Sequence, residues 1–478
     1  MKKKDLLILL VITIIAIVFR LYKIDTPLAD LHSWRQSDTA AVARNFARDG
    51  INLIEPRYDD LTSIESGIEN PKGLRFVEFP VYNAIFALFY RNLPILPIEV
   101  YGRLTSVFFS VILIWILYYF ALKEHGRAAG IFTASVYAIF PFFVFFSRVV
   151  LPETTALSMM FISIFFIYLY LKKQNQNIAY LVMSIIFYAL AILVKPTTIF
   201  YSLAIGYLFI VSYKFDLFKK WQSYAFVILG ISPFIAWRLY IMQFPEGIPA
   251  SDWLFMYVNT FEGPKNIFFK PAFFRWIFME RIGIAMFGIY LTSFFIVGIF
   301  SKTKKYFLHS IFFSALIYLF TFQGGNVQHE YYQAIALPAF ALMTGIGIAH
   351  IVKMSPTFTN KFLFYPTLIA VLVFSFFFSY YRVKDYYNYP RDLTQVAKLI
   401  MTFTKPEDKI VTDRIGDTTL LYLADRKGAP AVYKEVEELV QLGYSYLVTD
   451  KKDFAQNLKE KGYEVLVEND QFSLVKLK

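Results

Sequence analysis

A succession of long apolar segments constrains the fold of this 478-residue chain more than any other feature. Hydrophobic residues make up 57% of the sequence and aromatic residues 19%, which lies outside the range of soluble globular domains. Stretches of about 20 predominantly apolar residues can cross a bilayer as helices. We therefore predict a polytopic helical membrane protein with about 11 transmembrane helices. The predicted spans are 6–22, 101–122, 128–146, 154–171, 178–194, 197–213, 224–242, 282–300, 307–322, 333–352 and 362–381.

Basic residues in the connecting segments predict the orientation of these spans. Short cytoplasmic loops carry an excess of lysine and arginine. The apolar segment 79–92 has only about 14 residues, so we predict an interfacial or re-entrant helix there instead of a span. All the basic loops then fall on one side, which becomes the cytoplasmic side together with the N-terminus. These basic residues are Lys2, Lys3, Lys4, Lys123, Arg127, Lys172, Lys173, Lys214, Lys219, Lys220, Lys302, Lys304, Lys305, Lys353 and Lys361.

Charge and composition narrow the class of partners. The formal net charge of +12 is explained by these loops, so we predict a multi-pass protein of the cell membrane and no nucleic-acid partner. The chain has no cysteine, which excludes disulfides and cysteine-ligated metals. The sequence contains no phosphate-binding loop and no dinucleotide fingerprint. We therefore predict no required cofactor, with a divalent cation as an alternative.

Two predicted domains follow from the distribution of polar segments. The first outer loop, 23–79, is long and rich in ionisable residues, which is typical of a functional loop, and it belongs to a predicted membrane domain, 1–381. From residue 382 short strand and helix patterns alternate. They predict a small extracytoplasmic α/β domain, 382–478, which we expect to shape the acceptor side. The other predicted outer segments are 147–153, 243–281 and 323–332.

Asp38 is the first candidate for chemistry. It opens a predicted helix, 38–49, that ends at Gly50, a residue typical of helix C-termini. Arg35 lies three residues earlier, close enough to pair with Asp38 if the helix begins early. A carboxylate in that position is expected to stay ionised and could accept a proton from an attacking hydroxyl or amine. The alternative is that Asp38 only caps the helix.

Charged residues at the predicted outer ends of the spans form the second group of candidates. Arg148 and Glu153 lie at the junction of two spans, where charges are costly and usually functional. A helix-terminal salt bridge is the alternative for this pair. Lys195 stands alone between two spans, and it could hold a lipid phosphate or anchor the helix ends at the interface.

A compact polar turn, 323–332, contains the third candidate. Its two glycines give the backbone freedom, and His329 could donate to a phosphate or to a leaving oxygen. Tyr331 and Tyr332 could instead belong to an aromatic belt at the membrane surface. The spacing of His, Asp and Glu along the chain predicts no preformed zinc site.

The motifs around these candidates, taken in chain order, resemble those of the GT-C membrane glycosyltransferases of family 39. This family includes protein O-mannosyltransferases and lipid A aminoarabinose transferases. The resemblance covers about residues 5–381. It rests on Trp34-Arg35-Gln36-Ser37-Asp38-Thr39, Ala43-Arg44-Asn45-Phe46, Glu78-Phe79-Pro80-Val81-Tyr82, Arg103, Ser147-Arg148, Pro152-Glu153, Leu193-Val194-Lys195-Pro196, His329-Glu330-Tyr331-Tyr332 and Leu337-Pro338. It implies a GT-C fold with interfacial helices in the first outer loop and a small C-terminal α/β domain.

The resemblance also implies an inverting glycosyltransferase that moves a sugar from a polyprenyl-phosphate-linked lipid donor to an acceptor at the extracytoplasmic face. Asp38 takes the role of the catalytic base. Thr39 stands where related enzymes commonly have a second acidic residue, and Glu78-Phe79 replace the lysine that aminoarabinose transferases carry before Pro80. The second difference argues against aminoarabinose transfer to lipid A. The expected substrate-binding residues are Arg35, Arg57, Glu78, Arg148, Glu153, Lys195, His329, Glu330, Tyr331 and Tyr332.

Two other functions are alternatives. A metal-dependent enzyme similar to oligosaccharyltransferases would use Asp38 and Glu153 as metal ligands. A transporter of polyprenyl lipids or polysaccharides would show inverted repeats and broken helices at mid-membrane. The sequence predicts neither of these features, and its ionisable residues gather at one predicted face, so we favour the glycosyltransferase.

Overall fold

The computed structural model describes residues 2–172, 177–251, 271–303, 305–357 and 359–478. Part of the predicted outer loop 243–281 lies outside the described residues, as do Lys173 and Lys304 of the basic loops. The chain forms two compact units, each assembled from three separate segments. The first unit comprises Met1–Ile24, Arg103–Trp237 and Ser251–Tyr386, and the second comprises Asp25–Gly102, Arg238–Ala250 and Tyr387–Lys478.

Helices account for most of the described residues. In chain order the α-helices are α1 (Lys3–Leu21), α2 (Ser33–Asp49), α3 (Val81–Asn92), α4 (Ile98–His125), α5 (Arg127–Ile139), α6 (Pro141–Phe146), α7 (Glu153–Lys172), α8 (Ile178–Val194), α9 (Ser202–Tyr213), α10 (Trp221–Ile241), α11 (Pro271–Phe274), α12 (Leu291–Phe300), α13 (Phe307–Thr321), α14 (Gln323–Gln328), α15 (Leu337–Met354), α16 (Lys361–Val383), α17 (Arg391–Phe403), α18 (Thr419–Leu423), α19 (Val436–Gln441) and α20 (Lys452–Glu460). Short 3₁₀ segments cover Pro196–Tyr201, Lys214–Lys219, Pro245–Gly247, Glu330–Ala336, Ser355–Thr357 and Lys384–Tyr387, and a π-helix covers Arg275–Met286.

Each predicted span coincides with a helix or with two consecutive helical segments. Among the described residues, six helices are long and apolar enough to cross a membrane, or up to seven if a bent pair counts as one span. Two further apolar helices, α8 and α13, are shorter. The short segment 79–92 forms α3, whose 12 residues are too few to span a bilayer, as predicted. The prediction of a polytopic helical membrane protein is confirmed.

The span predicted at 282–300 is broken, so the prediction of a continuous helix there is wrong. Pro271–Met286 and Leu291–Phe300 meet at an angle of 116°. At the bend Gly288 has a φ of +52°, and a Cβ atom on it would lie 1.8 Å from the carbonyl oxygen of Ser375 in α16. Only glycine permits both this conformation and this approach of two backbones. The expectation that the chain has no broken helix is therefore wrong as well.

The span predicted at 128–146 is also divided, into α5 and α6. Pro141 occupies the first turn of α6, where its missing N–H costs no intrahelical hydrogen bond. The carbonyl oxygens of Tyr137 and Ala138, near the end of α5, accept hydrogen bonds from the buried Arg20 guanidinium at 2.9 and 3.0 Å. Arg20 also donates to the Ser147 hydroxyl at 2.9 Å. This arginine satisfies carbonyl groups that a helix end leaves open and so stabilises the break.

The C-terminal part of the second unit contains the predicted α/β fold. Its strands are β1 (Lys409–Thr412), β2 (Gly428–Ala429), β3 (Tyr444–Thr449), β4 (Glu464–Glu468) and β5 (Ser473–Lys476), in the sheet order β2-β1-β3-β5-β4. β1 runs parallel to β2 and β3, whereas β5 is antiparallel to β3 and β4. Ile410 and Val411 belong to two different apolar cores, because successive side chains of a strand point to opposite faces.

The first polar loop joins this sheet at its β2 edge. The Gly428 N–H donates to the carbonyl oxygen of Asp59, and the Leu61 N–H donates to that of Gly428, both at 2.8 Å. The loop and the C-terminal fold therefore belong to one compact unit. The predicted domain boundary at 381/382 places the loop with the spans. The division into compact units instead places the loop with the C-terminal fold.

Candidate functional site

Asp38 lies inside α2 and not at its start. The helix begins at Ser33, with His32 as its N-cap residue, so the interpretation of Asp38 as a helix cap is wrong. Gly50, with a φ of +99°, follows the helix as predicted, and its N–H donates to the carbonyl oxygen of Phe46. Only 1% of Asp38 is exposed. A carboxylate this deeply buried needs polar partners.

Residues from two segments of the second unit surround this carboxylate, the first outer loop and the C-terminal segment. The Arg75 Nη2 atom lies 2.7 Å from Asp38 Oδ2, and the Thr418 hydroxyl donates to Oδ1 at 2.6 Å. Arg75 also pairs with Glu65 at 2.7 Å, and its guanidinium lies 4.5 Å from the centre of the Tyr58 ring. The contact with Arg75 is an ion pair without hydrogen-bond geometry, and Oδ2 accepts no hydrogen bond from the described residues. Oδ2 therefore keeps lone pairs that can take up a proton.

Arg35 and Glu78 were both predicted as substrate-binding residues, and the structure brings them together as an ion pair. Arg75 is the arginine in contact with Asp38, so the predicted pairing with Arg35 is corrected to Arg75. Arg57 is half-exposed and pairs with Glu55 at 3.4 Å. Arg35 and Glu78 therefore form a largely buried ion pair, whereas Arg57 lies at the surface.

Burial raises the pKa of Asp38 to about 7. The Arg75 charge and the hydrogen bond from Thr418 oppose this rise in pKa, whereas the Glu65 charge adds to it. This direction of the pKa change is opposite to the one that an arginine neighbour alone would give, and the ionisation of Asp38 at neutral pH stays a prediction. A pKa near the ambient pH is the value that suits a general base.

Sequence reasoning missed Arg75 and Thr418. Arg75 follows the turn Asn70–Gly73, in which Gly73 has a φ of +62° and the Asn70 side chain bonds both backbone groups of Leu74 at 2.8 Å. Asn, Pro and Gly predict a turn here, but they do not predict which residue the following Arg75 contacts. Thr418 is separated from Asp38 by 380 positions, so no local pattern connects them.

A second buried arginine, Arg44, fixes α2 against α18. Its guanidinium pairs with Asp59 at 2.5 Å and donates to the Tyr422 carbonyl oxygen at 2.8 Å. It also lies 4.5 Å from the centre of the Tyr422 ring and 3.1 Å from Asp425. These contacts hold α18, and Thr418 directly before it, against the helix that carries Asp38.

In the first unit Glu153 and Lys195 form a buried ion pair with an N–O distance of 2.7 Å. The expectation that Lys195 stands alone is therefore wrong, and the partner of Glu153 is Lys195 instead of Arg148, the partner considered from the sequence. Arg148 is buried and donates to the backbone carbonyl groups of Tyr22 and Lys23. Both of these predicted substrate-binding cations thus have protein partners.

The polar turn brings the remaining candidates together. The His329 ring stacks on Tyr331 with centroids 5.6 Å apart, and Tyr331 stacks on Tyr332 at 4.4 Å. Both tyrosines are buried. Glu330 pairs with Arg281 at 3.4 Å, and Arg281 donates to carbonyl groups of the same turn, so Arg281 is a further residue that the sequence analysis missed.

The carboxylates proposed as metal ligands do not fit a metal centre. Within the described ranges, no group of three or more His, Cys, Asp or Glu residues could hold a metal ion. Asp38 faces the Arg75 cation, and Glu153 faces the Lys195 cation. A divalent cation needs several oxygen ligands and would be repelled by these positive charges.

A family model matches part of the chain. Residues 80–237 match the model described as dolichyl-phosphate-mannose-protein mannosyltransferase. No curated protein matches the sequence significantly.

Solved structures match nearly the whole chain. ArnT from Cupriavidus metallidurans bound to undecaprenyl phosphate has a TM-score of 0.63 at 14% identity, with 98% of each chain covered. The archaeal oligosaccharyltransferase AglB from Archaeoglobus fulgidus, in complex with an inhibitory peptide and a dolichol-phosphate, has a TM-score of 0.56 at 10% identity, covering 94% of this chain and 69% of that one. The arabinofuranosyltransferase AftD from Mycobacteria has a TM-score of 0.56 at 12% identity, covering 98% and 41%.

These likenesses define the fold of the chain. The chain is a membrane protein with the fold of the GT-C glycosyltransferases. The resemblance inferred from the sequence is therefore confirmed, and the family match to residues 80–237 agrees with it.

Proposed function

We propose that this protein transfers a sugar from a polyprenyl-phosphate-linked donor to an acceptor at the extracytoplasmic face of the membrane, with Asp38 as the general base. The match to the mannosyltransferase family supports a glycosyltransferase. The lipid phosphates named with ArnT and AglB support a polyprenyl-phosphate partner.

The observation that carries the proposal is the burial of the Asp38 carboxylate between Arg75 and the Thr418 hydroxyl. Its pKa, raised to about 7 by burial, places it close to neutrality, and its Oδ2 atom accepts no hydrogen bond from the described residues. The acceptor gives a proton to this oxygen while its own oxygen or nitrogen attacks the anomeric carbon. The bond from that carbon to the phosphate oxygen breaks, and polyprenyl phosphate leaves with the electron pair. Attack opposite the leaving group inverts the anomeric centre.

Negative charge develops on the leaving phosphate, and the stabilisation of such charge usually contributes more to the rate than any other effect of the protein. Arg148, Lys195 and His329 of the first unit are our candidates for this task. The ammonium group of Lys195 faces the carboxylate of Glu153, which a phosphate could replace. Binding of polyprenyl phosphate to Arg148→Gln, Lys195→Met and His329→Gln variants separates the three candidates.

The test of the base is turnover by the purified protein with a panel of polyprenyl-phosphate sugars, measured as release of polyprenyl phosphate. We expect Asp38→Asn to reduce turnover about 10²- to 10⁴-fold, the usual contribution of general base catalysis, and to keep donor binding. Asp60→Asn is the matched control, since Asp60 is equally buried and burial raises its pKa to about 6. Substantial turnover by Asp38→Asn would remove the base assignment.

Two further outcomes separate the alternatives. Loss of turnover in a chelator, restored by manganese or magnesium, would favour the metal-dependent enzyme. The bent span at Gly288 is a feature that transporters also use, so lipid movement in proteoliposomes should be measured in parallel. Movement of donor lipid without release of its phosphate would favour a transporter.

A further inference from the structure

Thr418 occupies the N-cap position of α18, yet its hydroxyl makes no capping hydrogen bond. A threonine at this position usually accepts a hydrogen bond from the first turn of its helix. Here the neighbouring Asp417 does so, because its Oδ1 atom accepts from the Thr419 N–H at 2.8 Å. The Thr418 hydroxyl is directed across to α2 and donates to Asp38 Oδ1 at 2.6 Å. Asp417 therefore caps the helix, which leaves the hydroxyl of Thr418 available for the contact with Asp38.

The surroundings of this hydroxyl suit both protonation states of Asp38. A hydroxyl group carries one proton and two acceptor lone pairs. Beside an ionised carboxylate, Thr418 donates to Oδ1. Beside a protonated carboxyl, it can accept from Asp38 and donate to the Trp34 carbonyl oxygen, which lies 3.3 Å away. A general base passes through both states in every turnover, so this side chain can stay bonded throughout.

We propose that Thr418 is a positioning residue for Asp38, supplied to the active site by the C-terminal α/β segment. It fixes the carboxylate through Oδ1 while Oδ2 faces Arg75, and it favours the ionised form. The inference rests on the proposed function of Asp38 as the base. Because Thr418 and Asp38 are 3% and 1% exposed, loss of the hydroxyl would leave Oδ1 buried without its donor.

The other groups that face Asp38 lie on different segments. Arg75 and Arg35 lower the pKa of Asp38, and Glu65 raises it. Tyr58 faces the same cluster as a neutral phenol, because burial raises its pKa well above the usual value. Exchanging Thr418 leaves all four of these groups in place, so a change in the pH dependence can be assigned to the hydroxyl.

The experiment compares Thr418→Val with Thr418→Ser and with a matched control, Thr419→Val. Thr419 is buried in the same helix, and its hydroxyl donates to the Ser33 hydroxyl of α2 at 2.9 Å. For Thr418→Val we expect about tenfold lower kcat at pH 6 and an acid limb of the pH–rate profile displaced upward by about one pH unit, the size expected for a lost hydrogen bond to a charged group. Thr418→Ser should restore the wild-type profile, and Thr419→Val should retain it.

Each outcome decides a separate question. If wild-type protein turns over and Asp38→Asn does not, but Thr418→Val shows the wild-type rate and profile, the role of Thr418 is overturned and that of Asp38 stands. A pH-independent loss of equal size in Thr418→Val and Thr419→Val would show only a structural role and would also overturn the inference. In an Asp38→Asn background, Thr418→Val should cause no further loss. Thr418→Ala replaces the valine variant if that one does not fold.

Discussion

Two buried ion pairs, one in each compact unit, have the same N–O distance but different surroundings. Asp38–Arg75 and Glu153–Lys195 both measure 2.7 Å. The side chains are 1% and 6% exposed in the first pair and 3% and 9% exposed in the second. Distance and burial therefore do not distinguish the two pairs.

The groups that surround each ion pair distinguish the two pairs. Arg75 divides its charge between Asp38 and Glu65, and Thr418 adds a hydroxyl to the same carboxylate. In the other pair, the ammonium group of Lys195 directly faces the carboxylate of Glu153 at the start of α7. A carboxylate that shares its cation is neutralised incompletely and can exchange a proton near neutral pH. The Glu153–Lys195 pair connects the start of α7 with the end of α8, and an anion that binds the lysine would compete with Glu153.

The largest effect on stability is expected from breaking the Glu153–Lys195 pair. Lys195→Met leaves the Glu153 carboxylate buried without its cation, which should lower the free energy of unfolding by about 3–5 kcal/mol. The double variant Glu153→Gln/Lys195→Met should recover most of this loss, because no buried charge remains. Denaturant unfolding of the purified protein measures both changes. A Lys195→Met variant that keeps its stability but loses affinity for polyprenyl phosphate would instead show that the lysine serves the ligand.

Local patterns predicted most of the fold, because they depend on neighbouring residues. Apolar run lengths gave the positions of the spans and of α3, and Gly50 gave the end of α2. The break at Gly288 was missed because it depends on the approach of Ser375, a residue far along the chain. The division at Pro141 was missed too, although a proline inside an apolar run is a usable signal.

The candidate site was less predictable. Asp38 was selected as the beginning of a helix beside Arg35, but it lies within α2 beside Arg75. Its role as the base stays a prediction. The partners Arg75 and Thr418 come from a loop and from the C-terminal segment, and neither contact follows any local periodicity. The partner of Lys195 is likewise determined by tertiary packing, which a single sequence does not record.

A smaller effect is expected in the pH dependence of turnover. A general base works in its ionised form, and the pKa of Asp38 is about 7, so kcat should rise with pH through neutrality and level off above it. At one pH unit below the pKa, about one tenth of the protein carries an ionised Asp38. In Glu153→Gln the midpoint should stay near 7, whatever the effect on the rate. A profile that is flat from pH 5 to 8 would mean that Asp38 does not titrate in the reaction.

The smallest effect is expected from removing the charge of Glu65, which shares the Arg75 cation with Asp38. The Glu65 charge raises the pKa of Asp38, so Glu65→Gln should move the acid limb to lower pH, opposite to Thr418→Val. Glu65 is 29% exposed, and partly exposed ion pairs are worth roughly 0.2–1 kcal/mol, so we expect a rate at pH 6 about 1.4- to fivefold higher.

Glu69→Gln in the same loop is the matched control, since Glu69 pairs with Lys434 at 3.2 Å, and its profile should not change. An upward movement of the acid limb in Glu65→Gln would reverse the interpretation of this pair. Glu65 would then act mainly by holding the Arg75 guanidinium against Asp38, and the sharing of the cation would stabilise the ionised base instead of weakening it.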